Sequence, residues 1–154
     1  MAKKQLGSDY ILWVNTNTSG TGSATWKAIM CQRDLTINTP FDTIDASTKC
    51  GNETLVQEGQ ETVEGTAALL QKDVADTNHM TTFEFRQIAR DGISRQYKAA
   101  PKTATAADDG KIIYTFNGKI TNVSDTFPNK ELATVSFAIS VDGQIEETEY
   151  EYEP

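Results

Sequence analysis

The strongest constraint on this chain is an apolar alternation with a period of two. In Thr134–Val141, the residues Val135, Phe137, Ile139 and Val141 are separated by Thr134, Ser136, Ala138 and Ser140. In Gln60–Leu70, Val63, Gly65, Ala67 and Leu69 face one way, and Gln60, Thr62, Glu64 and Thr66 the other. Successive side chains of a strand point to opposite faces, so both segments predict strands with one dry face and one wet face. The 21 threonines push the same way, because a branched Cβ suits a pleated surface. With 154 residues and no internal repeat or linker, the chain is expected to form one domain, residues 1–154, of mainly β class.

Shorter segments fill in the order. Asp9–Asn15 is apolar at nearly every position, and Trp26–Gln32 returns after a turn rich in Thr, Ser, Gly and Asn, which predicts a hairpin. Leu35 and Ile37 alternate with polar residues in a third strand, stopped by Pro40. Thr43–Gly59 has little apolar content beyond Leu55 and Val56 and reads as a long loop, functional or disordered. Asp76-Thr77-Asn78 offers N-cap residues, Met80, Phe83, Gln87 and Ile88 follow at helical spacing, and Gly92 suits a C-cap, so one helix is expected there. Ser94–Ala99, Lys111–Asn117 and Lys119–Asn122 read as strands, the last two flanking a bulge or bend at Gly118. Asp142-Gly143 is a hairpin-turn signal, with Gln144–Tyr152 as the returning strand. Strands, one helix, then strands describe a β-sandwich or open barrel with one flanking α-helix.

Catalytic chemistry finds no foothold. His79 is the only histidine and reads as a surface residue near the start of the helix, with no nucleophile set around it. Cys31 and Cys50 lack zinc-ligand spacing and are expected to be free, packed thiols. Gly20-Thr21-Gly22-Ser23 joins two strands rather than opening a helix, so it reads as a turn and not as a phosphate loop. No enzyme, metal or cofactor is expected. The basic start Met1–Gly7 has no apolar core of signal-peptide length, and no window approaches the roughly 20 apolar residues of a bilayer span, so neither export nor a membrane anchor is expected.

The charge is uneven. Acidic residues number 22 against 14 basic ones, a net of -8 that argues against a surface built to grip phosphates. The surplus lies in residues 51–70, net -4, and residues 103–154, net -7. Glu61 and Glu64 belong to the first region, and Glu147, Glu149 and Glu151 to the second. Residues 71–102 carry a net of +2, with Arg86, Arg90, Arg95 and Lys98 around the helix and the segment after it. Separated patches of opposite sign suit association between copies.

The order of LGSDYILWV, WKAIMCQ, DLTIN, a long polar loop, QETVEGTAALL, a central helix, then GKITN and Asn129–Gly143 resembles the major tail tube protein of long-tailed bacteriophages. That superfamily is shared with type VI secretion and pyocin tubes. The resemblance implies subunits that assemble with copies of themselves into stacked hexameric rings, with strands joined into a ring-wide β-barrel. It implies a virion protein, assembled in the host cytoplasm, that works beside a tape measure protein and tail terminator or tip proteins. DNA would pass through the channel without specific binding, helped by an acidic lumen. The loop that reaches the neighbouring ring would include Thr43, Asp45, Lys49, Asn52, Glu53, Leu55, Val56 and Glu58. Glu61, Glu64, Glu147, Glu149 and Glu151 would line the lumen or a ring contact, and Arg86, Arg90, Arg95 and Lys98 would form the complementary patch. The alternatives are a related tail terminator or contractile injection tube, and a monomeric β-sandwich binding module using Trp13 and Trp26.

Overall fold

The computed structural model describes residues 10–17, 22–102 and 105–153, so the basic start and residues 18–21 of the first turn lie outside the described residues. The strands are β1 (Tyr10–Asn15), β2 (Trp26–Ile29), β3 (Cys31–Asn38), β4 (Phe41–Asp45), β5 (Thr54–Glu58), β6 (Thr62–Ala68), β7 (His79–Met80), β8 (Arg95–Pro101), β9 (Ile112–Thr126) and β10 (Thr134–Glu149), with helix α1 (Thr82–Asp91) between β7 and β8. Eight strands form one sheet in the order β3-β6-β10-β9-β8-β1-β2-β7, and β4 and β5 form a separate pair. Every pairing is antiparallel except β2 with β7.

That order requires a rolled sheet. β2 and β3 sit near opposite ends of it, yet only Met30 separates them in the chain. Met30 turns the chain with a φ of 45°, which breaks the expected Trp26–Gln32 strand in two. The Gln32 side chain then bridges the curl: its Nε2 donates to Leu12 O at 2.8 Å and to Ile29 O at 2.9 Å, while Leu12 N donates to its Oε1 at 2.7 Å. A side-chain amide thus stands in for a strand residue beside β1 where β2 ends. The result is the open-barrel form of the expectation, one curled sheet with a flanking helix.

The alternating residues line the inside as expected. Val63 and Ala67 of β6 and Val135, Phe137, Ile139 and Val141 of β10 are buried, together with Leu12, Val14, Tyr97 and Phe116. The helix closes this core by inserting Phe85 edge-on against Phe137, ring centroids 5.3 Å apart. Two glycines are required by close approach. A Cβ on Gly65 would lie 2.7 Å from Phe137 Cζ, and one on Gly118 would lie 2.7 Å from the backbone oxygen of Ser140. Gly118 is therefore a packing position inside a continuous β9, opposite Val141, and not a bend between two strands.

Two further expectations are corrected by long-range pairing. Asp142-Gly143 does not turn the chain back, because β9 is long enough to pair with both halves of β10. Asp142 lies opposite Asn117 and Glu146 opposite Thr115, leaving Gly143, at φ 80°, inside a bulge. The helix begins later than the Asp76–Asn78 signal suggests. Thr81 is its N-cap, with Oγ1 accepting from Glu84 N at 3.3 Å, and Gly92 is the left-handed C-cap as expected. Starting at Thr82 turns Phe85 inward and leaves Phe83 exposed. Among the described residues, no helix is long and apolar enough to cross a membrane.

Candidate functional site

Thr43–Gly59 is an ordered arm rather than a shapeless loop. β4 and β5 pair as a ribbon, Phe41 opposite Glu58 and Asp45 opposite Thr54, around a turn bridged between Thr48 and Gly51. All ten strand residues are exposed. The register divides the ribbon into two faces, each with apolar residues: Phe41 and Val56 on one, Ile44 directly opposite Leu55 on the other. The candidates Thr43, Asp45, Lys49, Asn52, Glu53, Leu55, Val56 and Glu58 all lie on this arm. Phe41 and Ile44 belong with them and were overlooked, although FDTID and TLVQE around Cys50-Gly51-Asn52 carry the strand and turn composition that betrays a hairpin.

The arm leaves the sheet between β3 and β6, where Asn38 pairs with Thr62. Its root is built on Glu61, which is only 3% exposed. The Glu61 carboxylate accepts the N–H of Ile145 at 2.7 Å, its backbone oxygen accepts from Val141 N at 3.1 Å, and Gln144 donates to the nearby Glu58 carboxylate. Burial first, and the adjoining Glu58 second, push the Glu61 pKa above the ordinary glutamate value. Glu61 is therefore a buried brace of the β10 bulge and does not contribute to an acidic surface.

Glu64 does face outward. It belongs to the outer face of β3-β6-β10-β9, where Asp34, Thr36, Thr66, Asn122 and Ser136 are neighbours. Thr66 Oγ1 donates to Asp34 Oδ2 at 3.1 Å. The inner residues of these strands build the core, so this outer face is left to hydroxyls, amides, two carboxylates and one cation, the exposed Lys119 opposite Ser140. Glu147 and Glu149 lie exposed on the end of β10 opposite Tyr114 and Ile112, and Glu151 follows, also exposed.

The four basic candidates are spread over different faces. Arg86 pairs with Asp125 at 2.6 Å, Arg90 sits in the last turn of α1, where a cation suits the helix dipole, and Arg95 lies on the same face of β8 as buried Tyr97. Lys98 points to the opposite face, with Nζ 4.6 Å from the Trp26 ring centroid and 5.7 Å from that of Trp13. Burial lowers its pKa. The two tryptophans are thus half-buried partners of a lysine.

The titratable residues considered for chemistry are scattered too. His79 is on β7, not on the helix, and its Nδ1 lies 2.9 Å from Asp76 Oδ2. The Asp76 carboxyl is held below its usual pKa, chiefly by the Asn78 N–H and then by His79. Cys31 and Cys50 are free but exposed, one on the edge strand β3 and the other on the turn of the arm, so the expected packing is absent. No group of three or more His, Cys, Asp or Glu capable of holding a metal occurs among the described residues.

No protein-family model matches the sequence, and no curated protein matches it. Solved structures do match. A chain from the tail of an empty gene transfer agent particle, refined with C6 symmetry, superposes with a TM-score of 0.66 at 20% identity, covering 94% of this chain and 99% of that one. The SPP1 tail tube gives 0.68 at 11% identity over 96% of this chain and 80% of its own. A sheath/tube terminator of the extracellular contractile injection system PVC gives 0.65 at 10% identity, covering 96% and 98%. The fold of this chain is the one found in tail and injection-tube proteins.

Proposed function

We propose, from this tail-tube fold, that the chain is a non-enzymatic structural subunit that assembles with itself into hexameric rings stacked as a tail tube. The observation that carries the proposal is the β4–β5 arm. In a chain of this fold, a ribbon with apolar residues on both faces, covered by nothing among the described residues of its own subunit, needs neighbouring copies to bury it. The arm candidates from Thr43 to Glu58 reach the adjacent ring. β3 supplies a second requirement: it is an eight-residue edge strand. An edge of that length invites pairing with another subunit, and edge-to-edge joining around a ring gives a continuous barrel.

The polar outer face of β3-β6-β10-β9 then forms the channel wall. Hydroxyls predominate there, and Asp34 and Glu64 outweigh Lys119, the one cation paired onto this face, so DNA leaves through the tube without sticking. Glu147, Glu149 and Glu151 take part in contacts between rings. On this reading the protein belongs to the virion tail, is assembled in the host cytoplasm, and works with a tape measure protein and terminator or tip proteins. A terminator role is the second reading, favoured by the likeness to the PVC terminator; such a protein caps a tube and does not extend one.

Negative-stain electron microscopy of the purified chain across a salt series tests this, since salt screens the repulsion of a chain of net charge -8. Tubes are expected. Six-fold rings that never stack would favour the terminator, and a monomer at every concentration and salt would overturn both.

A further inference from the structure

Exposed large hydrophobic side chains are concentrated at two places. Phe41, Ile44, Leu55 and Val56 are on the arm; Val74, Phe83, Phe127 and Leu132 are on α1 or on the connections before β7 and before β10. At the second place lies a cavity of about 610 Å³ lined by Leu69, Leu70, Thr82, Phe83, Arg86 and Phe127 among others. Phe83 and Phe127 flank it while 71% and 70% exposed. The Leu132 connection runs beside it, since Leu69 N donates to Ala133 O at 3.0 Å.

We infer that this groove is the socket for the β4–β5 arm of a second copy of the chain. The topology places socket and arm at opposite ends of the same strands. The arm departs where Asn38 and Thr62 pair, and the groove opens where Ala68 pairs with Thr134. Seven residues of β6 separate them, roughly 20 Å of strand. A protrusion at one end and a matching recess at the other make a heterologous contact, which repeats head to tail.

Chemistry agrees with placement. The arm, residues 41–58, carries Asp42, Asp45, Glu53 and Glu58 against Lys49, a net of -3. Lys72 lines the groove, and Arg90, outside the lining, follows Arg86 by one turn of α1; of the two carboxylates that also line it, Glu84 is paired with Lys27 at 3.2 Å and Asp125 with Arg86. Arg86 is already engaged by Asp125, so Lys72 and Arg90 are the cations that meet the acidic arm. Phe83 and Phe127 receive its apolar pairs, and the contact buries on each copy what the subunit leaves in water.

The inference rests on the tube reading, and a mixing experiment separates the two. An arm variant, Ile44→Lys with Leu55→Lys, and a groove variant, Phe83→Ser with Phe127→Ser, change only exposed side chains; circular dichroism and unfolding midpoints check that both fold. Each variant alone is expected to lose tubes completely at a concentration where the wild type forms them. Mixed in equal amounts, they are expected to form a complex containing both, detected by light scattering and pull-down with a tag on one, because the arm variant keeps its groove and the groove variant keeps its arm. That complex stops growing after one such contact. A folded groove variant that forms tubes of wild-type length, or an equimolar mixture that never associates, would overturn the socket and leave the tube reading standing. Failure of the wild type itself to assemble would count against both.

Discussion

Replacing Glu61 separates the two things its carboxyl does. It accepts the N–H of Ile145 at 2.7 Å, and it sits 3% exposed beside Glu58, where burial first and that neighbour second raise its pKa from 4.5. A carboxyl with a raised folded pKa contributes its full stability below the unfolded value and loses it as pH rises through the folded one, because the ionised form is penalised only in the folded chain. Glu61→Gln keeps an acceptor oxygen for Ile145 and cannot ionise; Glu61→Ala leaves a buried N–H without a partner. In acid, the Gln variant is expected to match the wild type, while the Ala variant is less stable by about 1–3 kcal/mol, the cost of an unsatisfied buried donor. Towards alkaline pH the wild type alone weakens at this site, so the Gln variant overtakes it and the deficit of the Ala variant shrinks. Urea unfolding midpoints at about pH 4, 6 and 8 read all three curves. A difference between the Gln variant and the wild type that does not change with pH refutes the role of ionisation. Equal stability of the Ala and Gln variants refutes the role of the Ile145 hydrogen bond.

Other outcomes follow from the packing. Phe85→Ala removes the ring that α1 inserts against Phe137 and should cost about 3–5 kcal/mol in denaturant unfolding. Tyr97→Phe should raise the melting temperature, with a gain of about 1 kcal/mol, since the Tyr97 hydroxyl is buried without a hydrogen-bond partner among the described residues; a loss of stability would mean that the hydroxyl has one. Gly118→Ala places a methyl 2.7 Å from the Ser140 oxygen and should destabilise by about 1–3 kcal/mol in the same unfolding assay. Cys31 and Cys50 should both react with a thiol reagent in the unassembled native chain, without denaturant.

The parts of the fold legible in the sequence are those set by local rules. The alternation at Val63–Ala67 and Val135–Val141 marks core faces because the pleat has a period of two, and Gly92 marks a helix end because it readily takes left-handed backbone. The site was less legible. The segment around Leu55 reads in the sequence as a long polar loop, and its pairing as an arm is not legible there because both faces are exposed, which removes the alternation that a half-buried ribbon shows. Arg86, Arg90, Arg95 and Lys98 are close in sequence, yet a helix and a strand send them to different faces.

By itself, then, the sequence determined a mainly β chain with one capped helix, a buried apolar set and an acidic surplus unsuited to gripping nucleic acid. Only the tertiary structure decided which strand meets which. It made Asp142-Gly143 a bulge because a long β9 was available to pair on both sides of it, and it rolled the sheet because Met30 alone connects strands at opposite ends of the order. It also sent Glu61 inward and Glu64 outward, two acids of one segment with opposite fates. Local propensity is a property of neighbours in the chain, whereas burial and charge environment depend on partners tens of residues away.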